Sequence, residues 1–251
     1  MKYLKRLVLM VQFLTTIPIN ININCKEEDY GKGLVFAPVV GLLIGSMLMG
    51  LFYIVNTFFS FQISVVFMLI TYIVLSGGLH LDGLADTFDG IFSNRPKERI
   101  LDIMRDSRIG TNGVLAIVCI MLLNFALLNS LERFFILRAL LLFPVAGRMA
   151  SLVGAGTSKY AREGEGLGKS FIDFCGIKEV LAGFIITMGI FYIALGTKGL
   201  ILTFPTIMFP YFFIRVFTRK IGGATGDILG AICELNQTVF IISVVLLKTW
   251  I

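Results

Sequence analysis

Gly77-Gly78-Leu79-His80-Leu81-Asp82-Gly83-Leu84-Ala85-Asp86-Thr87-Phe88-Asp89-Gly90 follows directly on the apolar run 63–75. On an α-helix Asp82, Asp86 and Asp89 fall at about 0°, 40° and −20°, one narrow acidic face at the mouth of an apolar segment. An unpaired aspartate at bilayer depth costs on the order of 3 kcal/mol, so three of them require a water-filled cavity, basic partners or bound cations. A metal-binding site is the economical explanation.

Working outward, 57% of the residues are hydrophobic and only 15% charged, a balance that excludes an ordinary soluble domain. Runs long enough to cross the hydrocarbon core occupy 34–58, 63–81, 114–131, 134–152, 180–195, 200–217 and 228–247. The expected fold is all-α, a polytopic integral membrane helical bundle of about seven spans, with residues 1–251 forming a single membrane-embedded catalytic domain. The segment 4–19 starts amphipathic, carries basic residues at its head and stops at Pro18, which suits an interfacial helix as well as an eighth span. A cleavable signal peptide is disfavoured, because no small-residue cleavage site precedes the polar stretch 20–29. The first span carries Gly41 and Gly45 in a GxxxG arrangement, a close helix-packing face.

With an interfacial first helix, the spans place all but four of the 22 basic residues on one side, the exceptions being Arg133, Arg138, Lys198 and Lys248. The positive-inside rule then predicts a multi-pass protein of the cell (inner or cytoplasmic) membrane, its acidic face in the cytoplasm and membrane lipid around it. The net charge of +6 follows from this bias and is no argument for nucleic acid. Cys25, Cys119, Cys175 and Cys233 are scattered and His80 is the sole histidine, so neither a zinc site nor a disulfide framework is indicated.

Further along, Arg105-Asp106-Ser107-Arg108-Ile109-Gly110-Thr111-Asn112-Gly113 sets two arginines among small polar residues just before a span, a candidate cradle for phosphate oxygens. The run Gly164-Glu165-Gly166-Leu167-Gly168-Lys169-Ser170 approaches a phosphate-binding glycine loop. It fails because Glu163 stands where the pattern needs glycine and no strand precedes it. A lid carrying Lys169 or Arg162 to an anionic substrate remains reasonable. Asp227 and Glu234 form a second acidic stripe seven residues apart on one helix face, and Glu234, inside an apolar run, is expected to face the same cavity as Asp82. Asn236-Gln237-Thr238 matches a glycosylation sequon but lies within a span.

Acidic clusters of oxygen donors alone select hard cations, and Mg²⁺ is the usual choice where phosphates complete the coordination. Together with nearby basic residues these are the parts of a phosphoryl or phosphodiester transfer site. Spacing alone does not fix the reaction. The runs GGLHLDGLADTFDG (77–90), RDSRIGTNG (105–113) and GGATGDILGAICE (222–234), in that order and separated by spans, resemble the adenosylcobinamide-GDP ribazoletransferase (cobalamin synthase) family over nearly the whole chain.

The resemblance implies a Mg²⁺-dependent membrane transferase that joins a corrinoid nucleotide, adenosylcobinamide-GDP, to α-ribazole or its 5'-phosphate, releasing GMP. It carries the family's acidic motif onto Asp82, Asp86 and Asp89, as metal ligands and catalytic residues, and its TGDxxGAxxE run onto Asp227 and Glu234. Within that reading Asp82 and Asp86 hold Mg²⁺ on the diphosphate, and Asp89 is a further ligand or the base for the ribazole hydroxyl. His80 is a hydrogen-bond donor behind the ligands, a base or a packing residue, and Arg105, Arg108 and Lys169 are candidates to bind the diphosphate or departing GMP. The sequence leaves a homo-oligomer open. A CDP-alcohol phosphotransferase shares the metal logic, but the Ala-Arg pair of its signature is missing, since Asp86 follows Ala85. A cation-coupled transporter would predict an internal inverted repeat, and the two acidic motifs are too dissimilar to supply one.

Overall fold

A computed structural model describes residues 2–248. In chain order the helices are α1 (Lys2–Leu14), α2 (Glu27–Gly33), α3 (Ala37–Val55), α4 (Phe61–Ser76), α5 (Leu79–Ile91), α6 (Lys97–Ile103), α7 (Thr111–Asn129), α8 (Arg133–Gly156), α9 (Leu167–Asp173), α10 (Ile177–Leu195), α11 (Thr197–Ile221) and α12 (Gly226–Lys248). No strand occurs among the described residues; one isolated parallel bridge joins Tyr160 and Ala224. The expected helical membrane bundle is what the chain forms. Six helical segments are long and apolar enough to cross a membrane, and the bent pair α4–α5 makes a seventh if counted as one span. Large apolar side chains such as Leu122, Ile185, Ile193 and Phe204 face outward, as a lipid-facing surface requires.

Two spans form the core. α8 and α12 are the most buried, whereas α7 and α10 keep most of their surface outward. α8 packs on α3, where a Cβ at Gly45 would lie 2.0 Å from the Leu141 carbonyl oxygen, so the Gly41/Gly45 face is the close-packing surface the spacing predicts. Ser151 Oγ donates to Leu229 O at 3.0 Å and Asn236 Nδ2 to Ala146 O at 2.9 Å, fixing α8 against α12 with hydrogen bonds. Asn236, Gln237 and Thr238 are all buried in α12, which disposes of the sequon.

Two expectations need correction, and one alternative left open by the sequence is narrowed. The run 63–81 is not one continuous helix: Gly77 and Gly78 adopt left-handed φ values of 63° and 70°, and the axis turns by 89° between α4 and α5. The backbone closes α4 in a Schellman arrangement, Gly78 N–H bonding Ile73 O and Gly77 N–H bonding Val74 O, a geometry two side-chain-bearing residues would resist. The aspartates therefore ride on a separate helix lying across the end of the span. α1 has only 13 residues, about 20 Å, too short to cross, and it packs by a face containing Arg6, Met10 and Leu14. This favours the interfacial helix over an eighth span. Arg148, grouped by the charge pattern with the basic edge, is fully buried within α8.

Candidate functional site

The site begins with one close approach. Gly83 on α5 backs onto the first turn of α12, where a Cβ would meet Asp227 O at 2.7 Å and Asp227 Cα at 3.0 Å. Across the same contact a Cβ at Gly230 would lie 3.2 Å from the His80 backbone. Only glycine lets the backbones meet at this distance, so the contact sets Asp82 and Asp86 of α5 beside Asp227 of α12. Thr225 caps α12, accepting from Ile228 N–H at 3.3 Å, and Lys220 Nζ donates to Ile91 O at 2.8 Å at the other end of α5.

Asp82 is exposed, while Asp86, Asp89 and Asp227 are half-buried. The charges of Asp82, Asp89, Asp227 and Arg162 all act on Asp86, so four carboxylates and one guanidinium share this corner of the molecule. A cleft of about 640 Å³ opens beside them, lined by His80, Asp82, Ser151, Gly168, Phe171 and Asp227 among others.

Arg162 is the basic member. Its Nη2 donates to Asp227 Oδ2 at 2.7 Å and to Met104 O at 3.3 Å, and its buried Nε has no protein partner. The loop carrying it is pinned to the turn before α12 by Ala161 N–H bonding Ala224 O at 2.9 Å and Ala224 N–H bonding Lys159 O at 2.7 Å. Of the two residues considered for a lid, Arg162 reaches the aspartates. Lys169 pairs instead with Asp173 at 2.7 Å, both half-exposed, and that carboxylate raises the Lys169 pKa. Arg108 points to solvent and forks onto Asp106, whose carboxyl it holds down at about 2. Arg105 is exposed and makes no ion pair among the described residues.

Asp89 stands apart from its two neighbours. Its carboxylate accepts Gly110 N–H at 2.7 Å and Gly113 N–H at 2.9 Å, so it caps the start of α7. The anion cradle expected of RDSRIGTNG is present, but the anion in it is Asp89. A Cβ at either glycine would come within 2.5 Å of a carboxylate oxygen.

Glu234 does not open on the cavity with Asp82. It is buried about 10 Å further along α12, accepting Tyr72 Oη–H at 2.6 Å and Gln237 Nε2–H at 3.1 Å. Arg148 Nη1 and Gln237 Nε2 each donate to Tyr72 Oη at 2.8 Å, so the phenol joins a buried guanidinium to a buried carboxylate. His80, also buried, bridges the two regions: it lines the cleft, its Nδ1 has no partner, and its ring lies against Cys233 and Glu234. Among the described residues, these three are the group whose possible ligand atoms all lie within 4.8 Å, but Arg148 Nη1 is 3.6 Å from Cys233 Sγ and already supplies the positive charge. Tyr72, Arg148 and Gln237 escaped the sequence reading. An arginine inside the apolar run 134–152 was the signal for this network, because a charge inside a span needs a partner.

The family described as cobalamin-5-phosphate synthase matches residues 6–245. The chain belongs to this family. Relatives named adenosylcobinamide-GDP ribazoletransferase include one from Acetivibrio thermocellus, 60% identical over 99% of this chain and 100% of its own length, and one from Clostridium acetobutylicum, 53% identical over 97% of each. A third, from Clostridium novyi, is 40% identical over 98% of each chain. No solved structure matches. As a member of the cobalamin synthase family, the chain is a multi-pass membrane transferase of cobalamin synthesis.

Proposed function

We propose that the chain joins adenosylcobinamide-GDP to α-ribazole or its 5'-phosphate, with Mg²⁺, to give adenosylcobalamin or its 5'-phosphate and GMP. The observation that carries this reading is that Asp82 and Asp227 line one cleft, with Asp86 in electrostatic reach of both and Arg162 bonded to Asp227. The ribazole hydroxyl oxygen attacks the phosphorus attached to the cobinamide, the bond to the GMP phosphate breaks, and GMP departs with that bridging oxygen.

The donor set suits Mg²⁺. Its donors are carboxylate oxygens, and no three of these carboxylates lie close enough among the described residues to form a closed cage; Mg²⁺ is usually held by one or two carboxylates with substrate phosphates and water completing its shell. Asp82 and Asp227, on facing helices and both lining the cleft, are the residues that would hold it. When bound, the ion would neutralise charge on the diphosphate. Arg162 holds Asp227 and sets a guanidinium charge beside the aspartates for the diphosphate. Asp86, half-buried among the other carboxylates, receives the proton of the attacking hydroxyl. Asp89, with both oxygens committed to α7, positions that helix, which argues against a ligand role. His80 lines the cleft beside Asp82. The basic bias of the aspartate end supports a cytoplasmic site in the cell membrane.

The test is product analysis with the purified protein in liposomes, given Mg²⁺, α-ribazole 5'-phosphate and adenosylcobinamide-GDP. The expected result is a corrinoid product with matching GMP release. Turnover of a CDP-alcohol donor in its place would overturn the assignment.

A further inference from the structure

A second polar cleft, of about 830 Å³, opens at the aspartate end of the bundle between the α8–α9 loop and the end of α11. Lys159, Arg215 and Arg219 line it, with Thr157, Ser158 and Thr218, and no acidic residue is among its described lining. All three basic side chains are exposed, and none makes an ion pair among the described residues. Arg215 is nonetheless oriented, since it donates to Tyr211 Oη and lies over that ring, 4.5 Å from its centre.

Tyr211 also ends an apolar groove of about 1120 Å³ between α10 and α11, in which Val180, Phe184 and Ile207 are among the lining residues, and Thr157 lines both spaces. The groove follows α11 from Leu200 to Tyr211, about 16 Å, close to the roughly 15 Å depth of one bilayer leaflet. The positive-inside bias accounts for basic residues at a membrane edge. It does not account for three of them gathered, without counter-ions, at the mouth of a groove one leaflet long.

We propose that this composite cleft binds one anionic glycerophospholipid. Its phosphate would sit among Lys159, Arg215 and Arg219, and an acyl chain would fill the α10–α11 groove. Basic pockets between membrane helices recognise anionic lipid headgroups through this kind of charge.

The test is native mass spectrometry of the detergent-solubilised full chain, titrated with phosphatidylglycerol, with phosphatidylcholine of the same acyl chains, and with glycerol 3-phosphate. Wild type is expected to retain one phosphatidylglycerol at least about tenfold more tightly than phosphatidylcholine. The combined substitution Lys159→Ala, Arg215→Ala, Arg219→Ala should remove that preference. Arg133→Ala with Arg138→Ala, at the opposite end, should keep it. Ile207→Trp, which fills the groove but leaves the basic residues, should weaken retention of phosphatidylglycerol. Equal retention of the two lipids by wild type, or an unchanged preference in the triple variant, would overturn the proposal. So would glycerol 3-phosphate binding as tightly as the lipid with Ile207→Trp without effect, because the site would then serve a soluble phosphate. Thermal unfolding of each variant guards against loss of fold, and the double variant and Ile207→Trp keep the proposal testable should the triple variant not fold.

Discussion

Gly83→Ala tests whether the contact of α5 with α12 builds the site. The added Cβ would lie 2.7 Å from Asp227 O and 3.0 Å from Asp227 Cα, and both are backbone atoms that cannot swing aside. Restoring an ordinary separation of about 3.5 Å requires the helices to part by roughly 0.5–1 Å. Overpacking of this kind costs about 1–3 kcal/mol, offset by the ~0.5–1 kcal/mol that alanine gains over glycine in a helix. A shift on the order of 1 Å between reacting groups costs about 10²-fold in rate. Gly50→Ala on α3 is the control: a Cβ there meets nothing within 4 Å, so stability should hold or rise and turnover should not change. Unfolding in one detergent and GMP release in liposomes give the two readouts. Gly83→Ala that keeps the wild-type rate would refute the reasoning, because the aspartates would then not depend on this approach for their register.

Asp89→Asn removes the charge that accepts two N–H groups and leaves only one acceptor oxygen, so the start of α7 should loosen by about 1–3 kcal/mol, read as faster amide exchange at Gly110 and Gly113. Tyr72→Phe takes the shared hydroxyl from Arg148, Gln237 and Glu234 and should destabilise the fold by about 1–3 kcal/mol, while Tyr192→Phe, on an exposed ring, should stay within ~0.5 kcal/mol; chemical unfolding compares the two. Lys169→Ala breaks a half-exposed pair worth less than about 1 kcal/mol, and its GMP release should remain close to wild type.

Much of this was legible in the chain. Composition and run length specify a membrane bundle, and the i, i+4, i+7 spacing puts Asp82, Asp86 and Asp89 on one face whether or not the preceding span continues. Hydropathy could not show that Gly77-Gly78 turns the chain by 89°, since the apolar signal runs on through Leu79 and Leu81. Helical periodicity set Asp227 and Glu234 on one face, but it says nothing of depth. The second lies some 10 Å inside the bundle, where Tyr72 and Gln237 satisfy it. The basic candidates differ in their pairing: Arg108 and Lys169 bond acidic residues close by in sequence, whereas Arg162 meets Asp227 through the bridge at Ala224. The glycines of RIGTNG read as a cradle for substrate phosphate; in the fold their N–H groups are taken by Asp89 of the same chain.

The most direct test of the central claim is GMP release from adenosylcobinamide-GDP by wild type and by Asp82→Asn, each in liposomes and titrated with Mg²⁺ after EDTA treatment. The account predicts turnover that rises with Mg²⁺ in wild type and is lost in Asp82→Asn even though that variant stays folded, because the substituted side chain is exposed and makes no ion pair among the described residues. A folded Asp82→Asn with the wild-type rate, or wild-type turnover indifferent to EDTA, would contradict it.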